Sequence, residues 1–295
     1  MFSNEYNNNG VHCNVQNNFN VIESVRREAL RRGMSPRTIK SYLHCLNKFF
    51  RFYHYKDHRR ITKVDIQNFL DDMIDRNKAS STVNLYLMSL KFLYEQILRK
   101  RLTVNIKTSK TPSRLPEYLT QDETKRLFEV IDNKKHLLIV KFLYGAGMRV
   151  SELVNLKVKD FEFEQNYGWV RQGKGAKDRP FVIAQSLKDE LFDWIEKNSL
   201  EPHNYLFAGR CGRNVHYTQQ SIRIIIKQAR AKAKIGKNVH PHTLRHSFAT
   251  HFIENGQTVN KLQAILGHNS INTTMKYVHM AAPNIINAQS PLDIL

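Results

Sequence analysis

Cysteine is scarce in this chain, and its three copies follow no pattern. Cys13, Cys45 and Cys211 lie far apart and form no CxxC pair. An odd number of isolated cysteines argues against a disulfide framework, because such frameworks use paired cysteines. The cysteine content therefore predicts a protein of a reducing compartment, the cytoplasm or the nucleoid.

Long apolar runs are also missing. No stretch approaches the roughly 18 consecutive apolar residues that a membrane-spanning helix needs. Residues 1–20 are rich in asparagine and lack the apolar core of a signal peptide, so we expect them to form a flexible tail. These absences predict a protein with no membrane partner.

Acidic residues are few relative to basic ones. The 295 residues include 46 Lys and Arg against 26 Asp and Glu, which gives a formal net charge of +20 and a pI near 9.9. Such an excess indicates a polyanionic partner, above all nucleic acid, although a merely basic surface is the simpler alternative. The length favours two domains.

Four segments in the first third of the chain predict a helical bundle. The first, Val21–Arg32, is closed by Gly33, and the second begins with Ser35 as N-cap and Pro36 at the first helical position. Two more helices are predicted over residues 62–75 and 80–100, where apolar side chains recur with helical spacing.

Basic side chains lie opposite the apolar face of the second predicted helix. Lys and Arg on such a face contact DNA phosphates, which provides affinity but not sequence selection. A solvated helix face is the alternative explanation for each of them. The candidate DNA-binding residues, one of them on the fourth helix, are Arg37, Lys40, Lys48, Arg51 and Lys91.

The rest of the chain predicts a linker and a second domain. Residues 107–117 lack periodicity and contain two prolines, so they are expected to link a domain of residues 21–106 to one of residues 118–295. β-prone runs on both sides of Gly173–Lys177 predict a hairpin. The predicted fold class is mainly α, with a helical-bundle DNA-binding domain followed by a mainly α-helical domain that carries a small antiparallel β-sheet.

Two arginines, two histidines and a tyrosine occur in the order Arg149, His242, Arg245, His268, Tyr277. Cleavage of a phosphodiester needs an in-line nucleophile, stabilisation of the charge on the non-bridging oxygens, and a proton for the leaving oxygen. Guanidinium groups can serve the second need without a metal, because they bind two phosphate oxygens and stay charged. A tyrosine nucleophile suits a reversible reaction.

The segments around these residues resemble the motifs of the tyrosine recombinases, or phage-type integrases. Residues 145–153 (GAGMRVSEL) resemble the first arginine box, and residues 173–179 (GKGAKDR) resemble the hairpin with its lysine. Residues 240–250 (HPHTLRHSFAT) resemble the second arginine box, while 266–268 (LGH) and 277–279 (YVH) resemble the third box and the nucleophile. The ordered set is specific, and the resemblance extends from about residue 20 to the end.

The resemblance implies a role for each matching residue. Tyr277 would attack the scissile phosphate and form a 3′-phosphotyrosyl link. Arg149 and Arg245 would bind the non-bridging oxygens, and His268 would donate a hydrogen bond to one of them. Glu152 would support the site from behind.

The resemblance also implies how protons move and which partners are needed. His242 would assist proton transfer from Tyr277, and Lys174 would protonate the leaving 5′-oxygen. No metal, ATP or other cofactor is required. Residues 21–106 would form a SAM-like core-binding domain. Four copies of the chain would act on two double-stranded DNA sites, with strand exchange through a Holliday junction, and accessory proteins remain an open question.

Other readings compete with these roles. His242 and His246 are four residues apart, which would also suit a zinc site on one helix face, although no HExxH motif or clear third ligand exists. His246 and His251 are otherwise interpreted as packing or solvated histidines. A type IB-like topoisomerase or a catalytically silent DNA-binding protein of the same fold would share these motifs. The rival nucleophiles are Tyr144, Tyr167, Tyr205 and Tyr217.

The two ends of the chain resemble different subfamilies of the tyrosine recombinases. The short amino-terminal region resembles Xer proteins, whereas Ser290–Asp293 resembles the ending of integron-type integrases. Resolution of chromosome dimers and integration or excision of a mobile element both stay open. The resemblance implies that residues 280–295 pack on a neighbouring copy, and packing within the same copy is the alternative.

Overall fold

The computed structural model describes the backbone of residues 6–103, 105–108, 115–171, 178–209 and 212–285, and the side chains from residue 17 to residue 281 within these ranges. Contacts divide the chain into two compact units, residues 1–113 and 114–295. Each unit has its own apolar core. No helix of the described ranges is long and apolar enough to cross a membrane.

The described part of the first unit is a bundle of α-helices that ends in a π-helix. Phe49 and Phe69 meet edge to face at its centre, with ring centroids 5.1 Å apart. The predicted start of the second helix is confirmed, since the Ser35 hydroxyl accepts a hydrogen bond from the Thr38 amide at 3.1 Å. The elements are α1 Tyr6–Arg31, α2 Pro36–Phe52, α3 Lys63–Asp75, α4 Ser80–Lys91 and the π-helix Phe92–Ile97.

Two predicted helix boundaries in this unit were wrong. Helix α1 begins at Tyr6 rather than at Val21, so most of the predicted tail is helical. The fourth helix was predicted as one α-helix to Lys100, but its α-helical part ends at Lys91 and a π-helix follows. The π-helix buries Phe92, Leu93 and Tyr94 in the core of the first unit.

Asn18 shows why the region before Val21 is ordered. Its side chain is 1% exposed, and its amide donates to the carbonyl oxygens of Tyr55 and Lys56 at 3.2 and 3.1 Å. Its oxygen accepts from the backbone amide of His58 at 3.1 Å. Helix α1 is thereby fastened to the turn that follows α2 at Asn18, within the part of α1 that precedes Val21.

The second unit surrounds a larger core with helices and two small sheets. Helices α10, α11 and α12 enclose Ala249, Ile253, Leu262 and Leu266 together with Tyr277. The helices are α5 Gln121–Glu129, α6 Lys134–Gly145, α7 Val150–Leu153, α8 Gln185–Lys197, α9 Gln219–Lys232, α10 Pro241–Glu254, α11 Val259–Leu266 and α12 Ile271–Ile285.

The strands form antiparallel sheets of three and two members. Strand β2 pairs with β1 and β3, and Gly168 of β2 lies opposite Phe181 of β3, so the predicted hairpin pairing is confirmed. The hairpin tip lies outside the described residues. The second sheet, β4–β5, was not predicted, because its strands are short. The strands are β1 Phe161–Glu162, β2 Tyr167–Val170, β3 Arg179–Val182, β4 Ala208–Gly209 and β5 Gly212–His216. The predicted fold class is confirmed.

Replacing Asn18 with alanine should destabilise the first unit by about 1–3 kcal/mol, because it leaves buried carbonyl and amide groups without partners. Both tryptophans, Trp169 and Trp194, belong to the second unit. In urea unfolding, the circular dichroism transition should therefore move to lower urea while the tryptophan fluorescence transition stays in place. Asn47→Ala, at an exposed asparagine of α2, is the control. Equal unfolding of both variants would contradict the assigned role of Asn18.

Candidate active site

Arg245 lies at the centre of the second unit, on α10. It is 3% exposed, and its guanidinium donates to the carbonyl oxygen of Gly147 at 2.8 Å and to that of Leu266 at 2.7 Å. Burial, together with the nearby charge of Arg149, lowers the pKa of Arg245 to about 10. The side chain therefore joins the end of α6 to the end of α11 while keeping its positive charge at neutral pH.

Glu152, on α7, gathers three guanidinium groups. Its carboxylate accepts from the backbone and side chain of Arg149 at 2.9 and 2.6 Å and from Arg179 at 2.5 Å, and it lies 4.0 Å from Arg245. Burial would raise the pKa of Glu152, but the charge of Arg179 and the hydrogen bonds of Arg149 and Arg179 hold it below its ordinary value. The one carboxylate thus stays charged and balances part of the clustered positive charge.

Arg179, at the start of β3, was not singled out by the sequence analysis. Its side chain is 7% exposed, and it donates to the Ile265 carbonyl as well as to Glu152. It also packs under Gly267, where a Cβ atom would lie 2.5 Å from Arg179 Cδ and where φ is +63°. Glycine is therefore required at this turn, and Arg179 supports the turn that presents His268.

His268 follows that turn and contacts the arginine cluster. Its Nε2 lies 3.3 Å from the Arg245 guanidinium, and its Nδ1 lies 3.0 Å from the Thr274 hydroxyl. Because a guanidinium only donates, Nε2 accepts and Nδ1 carries the proton. Burial, followed by the charges of Arg245 and Arg149, lowers the pKa of His268 to about 4, so the ring is neutral at pH 7.

Tyr277 projects from α12 into the same region. It is 4% exposed, and its ring is stacked on that of His268, with centroids 6.2 Å apart and planes 11° from parallel. Burial raises the pKa of Tyr277, and the charges of Arg245 and Arg149 oppose that rise. The hydroxyl lies 3.0 Å from Nδ1 of His246, so a residue that the sequence analysis treated as packing or solvated contacts the tyrosine.

The histidines of α10 differ in their surroundings. His242 is exposed, and its ring centroid lies 6.1 Å from that of His240. Partial desolvation of its ring, with the charge of His240 next, lowers the pKa of His242. His251 is a packing histidine, as predicted, and bonds to the hydroxyl of Tyr144 at 2.8 Å. The helical period could have identified His246, since it is one turn from His242.

A cavity of about 360 Å³ opens beside this cluster. Arg149, Glu152, Arg179, Gly267 and His268 contribute to its lining. Asp178 also lines the cavity, which has room for a phosphate group between Arg149 and His268. The structure thus brings together Arg149, Glu152, Arg245, His268 and Tyr277.

Other predicted residues lie elsewhere. Lys174 lies outside the described residues, as do Ser290–Asp293. Of the candidate DNA-binding residues in the first unit, Lys91 is half-buried at the end of α4, and the four on α2 are exposed: Arg37, Lys40, Lys48 and Arg51. The rival tyrosine Tyr217 bonds to His136 at 3.2 Å.

Replacing Glu152 with glutamine should destabilise the second unit by about 3–5 kcal/mol, because it leaves buried guanidinium charge without its partner. The pKa of Glu152 is lower in the folded state, so its contribution is present above the unfolded value and is lost as pH falls through the folded value. Tryptophan fluorescence in urea should therefore show a smaller loss of stability on acidification in Glu152→Gln than in the wild type.

Glu190→Gln is the matched control for that measurement. Glu190 pairs with Lys141 at 2.6 Å, but its side chain is 42% exposed. Removing an exposed pair should cost less than about 1 kcal/mol. Equal effects of the two substitutions would show that Glu152 does not hold the cluster together.

Comparison with known proteins gives two family matches. The model described as Phage integrase family matches residues 117–283, and the model described as Phage integrase, N-terminal SAM-like domain matches residues 21–104. The chain is 34% identical over 272 residues to Tyrosine recombinase XerA of Pyrococcus horikoshii, across 92% of this chain and 93% of that protein. It is 34% identical to Tyrosine recombinase XerD of Oceanobacillus iheyensis, across 85% and 90%.

Solved structures agree with these matches. The crystal structure of XerA recombinase is 30% identical, with a TM-score of 0.53 across 92% of this chain and 100% of that one. XerH site-specific recombinase bound to palindromic difH substrate is 24% identical, with a TM-score of 0.71 across 92% and 84%, which shows a shared fold. The family match over residues 117–283 and the identity to full-length relatives show that the chain belongs to the phage integrase family, the tyrosine recombinases.

Proposed function

We propose that the chain recombines double-stranded DNA at specific sites by way of a transient 3′-phosphotyrosyl bond to Tyr277. The observation that carries this proposal is the cluster of two guanidinium groups and a histidine, with the Tyr277 ring stacked on that histidine. The XerA and XerD relatives, named as tyrosine recombinases, support the reaction class.

The phosphate would bind where the cations converge. Arg149 and Arg245 would each donate to non-bridging oxygens, since both guanidinium groups remain charged and are held by Glu152. His268 would donate to the same phosphate from Nε2 after a change of tautomer, in which Nε2 gains the proton and releases its hydrogen bond from Arg245, while Nδ1 accepts from the Thr274 hydroxyl. Arg179 would act indirectly, by holding Glu152 and the Gly267 turn.

Cleavage would transfer the DNA strand to the protein. A Tyr277–phosphorus bond forms, the bond to the 5′-oxygen breaks, and the 5′-oxygen gains a proton. We assign that proton to Lys174 on the hairpin between β2 and β3. Attack of a 5′-hydroxyl from a second duplex on the phosphotyrosyl bond would release Tyr277 and exchange the strands without an energy source, and the proton of that hydroxyl would return to Lys174.

The assembly follows from the chemistry of exchange. Two duplexes have four strands to cut, so four copies of the chain would act together through a Holliday junction. Met280 and Ala281 are buried in the core formed by α10, α11 and α12, which is packing within the same copy. The residues after α12, 286–295, would pack on a neighbouring copy. In a bacterial or archaeal cell, the chain would act at the nucleoid, where the DNA lies. There it would either resolve chromosome dimers or integrate or excise a mobile element.

Tyr277 should form a covalent adduct with DNA in the presence of a chelator. A pool of random-sequence duplexes is first enriched for those that bind the full chain. Nicked duplexes of the enriched sequence, each with the nick at a different position, then serve as cleavage substrates. Peptide mapping of the adduct should identify Tyr277. Tyr277→Phe should bind the duplex without forming an adduct, whereas Tyr217→Phe, a tyrosine bonded to His136, should behave as the wild type.

Two outcomes of that experiment would contradict the proposal. Chelator-sensitive nicking with no protein link would indicate a metal-dependent nuclease. Relaxation of a plasmid that carries two enriched sites, without exchange of the flanking DNA, would indicate a topoisomerase. Exchange of the flanking DNA, seen as restriction fragments of new length, is the expected result.

The exposed basic face of α2 should contribute phosphate contacts. The double substitution Lys40→Ala with Lys48→Ala should reduce the slope of log affinity against log salt by about 2, because each neutralised phosphate contributes about 0.9. Fluorescence anisotropy over a salt series on the enriched duplex measures the slope. The control, Arg26→Ala with Arg27→Ala, removes the same charge from residues paired with Glu23. Equal slopes for the two variants would assign the effect to net charge alone.

A further inference from the structure

The hydroxyl of Tyr277 is held by a residue that the recombinase motifs do not assign to it. Nδ1 of His246 lies 3.0 Å from this hydroxyl, and the two ring centroids are 5.8 Å apart with planes tilted by 40°. Within the described residues, His246 is the hydrogen-bond partner of the Tyr277 hydroxyl. His246 sits one turn after His242, on the side of α10 that faces α12.

The direction of this hydrogen bond follows from burial. Tyr277 is 4% exposed, and a buried hydroxyl proton without an acceptor would be costly. His246 is neutral, because burial first, and then the charges of His242, Arg245, His240 and Lys276, lower its pKa to about 4. A neutral imidazole has one nitrogen that accepts, and Nδ1 is assigned as that nitrogen because it is the partner of the buried Tyr277 hydroxyl, which therefore donates to it.

His242 is less well placed for the same task. Its side chain is exposed at the first turn of α10, and no hydrogen bond joins it to Tyr277 within the described residues. An exposed imidazole remains available to the phosphate of bound DNA instead.

We propose that His246, not His242, accepts the proton of Tyr277 during strand cleavage. This inference rests on the proposed function. The O–H bond of Tyr277 breaks as an N–H bond forms at Nδ1 of His246. At the same time the Tyr277–phosphorus bond forms and the bond to the 5′-oxygen breaks. On rejoining, His246 returns the proton to Tyr277, so the cycle leaves both residues unchanged.

A bound phosphate would favour this transfer. The charged groups near His246 are His240, His242 and Arg245 on α10 and Lys276 on α12, with His268 beyond the end of α11. All of these groups are cationic or can become so, and each disfavours the imidazolium form. The negative charge of a phosphate in the cavity opposes them and raises the pKa of His246 when the proton has to be accepted.

The hydrogen bond can be tested on the free protein. The chain is labelled with 3-fluorotyrosine, and Tyr277→Phe and Tyr144→Phe assign two fluorine resonances. His246→Ala should shift the Tyr277 resonance and leave that of Tyr144 in place. His251→Ala is the matched control, because Nδ1 of His251 bonds to the Tyr144 hydroxyl. It should shift the Tyr144 resonance and leave that of Tyr277 in place. An unshifted Tyr277 resonance in His246→Ala would overturn the inference.

The role in proton transfer is tested with the nicked duplex that traps the adduct. His246→Ala should slow adduct formation by about 10²–10⁴-fold, the usual contribution of a general base. Added imidazole should restore part of the rate in His246→Ala but not in His246→Phe, which fills the space. His251→Ala should cleave at the wild-type rate. Cleavage by His246→Ala at the wild-type rate would overturn the inference. A slow rate in His246→Ala that added imidazole does not increase would also overturn it.

A pH profile separates chemistry from folding. Wild-type cleavage should fall as pH falls through the pKa of His246, because the protonated ring cannot accept. His246→Asn keeps an acceptor near the Nδ1 position without a titrating group, so its slower rate should lack that acidic limb. The same limb in His246→Asn would assign the titration to another residue. If the wild type forms no adduct at Tyr277, the proposed function itself fails, whatever the fluorine spectra show.

Discussion

The active site depends on one buried carboxylate. Glu152 contacts Arg149 and Arg179 directly and lies near Arg245, so three cations from three parts of the second unit meet at one anion. Like charges this close would repel strongly in a medium of low polarity, and the carboxylate offsets part of that repulsion. Three guanidinium groups against one carboxylate leave positive charge at the cluster, and a DNA phosphate can complete the balance.

Burial first, and the same positive charge second, set the protonation state of the histidines. His246 and His268 are buried near cations, and both have pKa values lowered to about 4. Neutral imidazoles can accept hydrogen bonds at neutral pH, and each of these rings has a partner that donates, Tyr277 for His246 and Arg245 for His268. Phosphate binding and proton acceptance are thus two consequences of one electrostatic arrangement.

Much of the fold could be predicted from local signals. The serine cap before α2, the strand pairing across the hairpin and the mainly helical class of the second unit follow from residue spacing and caps. The errors have local causes. The asparagine-rich start of α1 has low helix propensity, and its order depends on Asn18 bonding to a turn some forty residues later. The π-helix of residues 92–97 reflects side-chain burial in the bundle, which periodicity alone does not report.

The sequence by itself determined the helical class, the basic character and the order of the residues that carry the chemistry. Arg149, Arg245, His268 and Tyr277 could be named because their motifs occur in the order of the family. Only the tertiary structure decided what lies beside them. His246 meets Tyr277 across 31 residues, and Arg179 meets Ile265 across 86. Contacts over such separations depend on how α10, α11, α12 and β3 pack, because a local pattern records which face a residue occupies but not which side chain faces it.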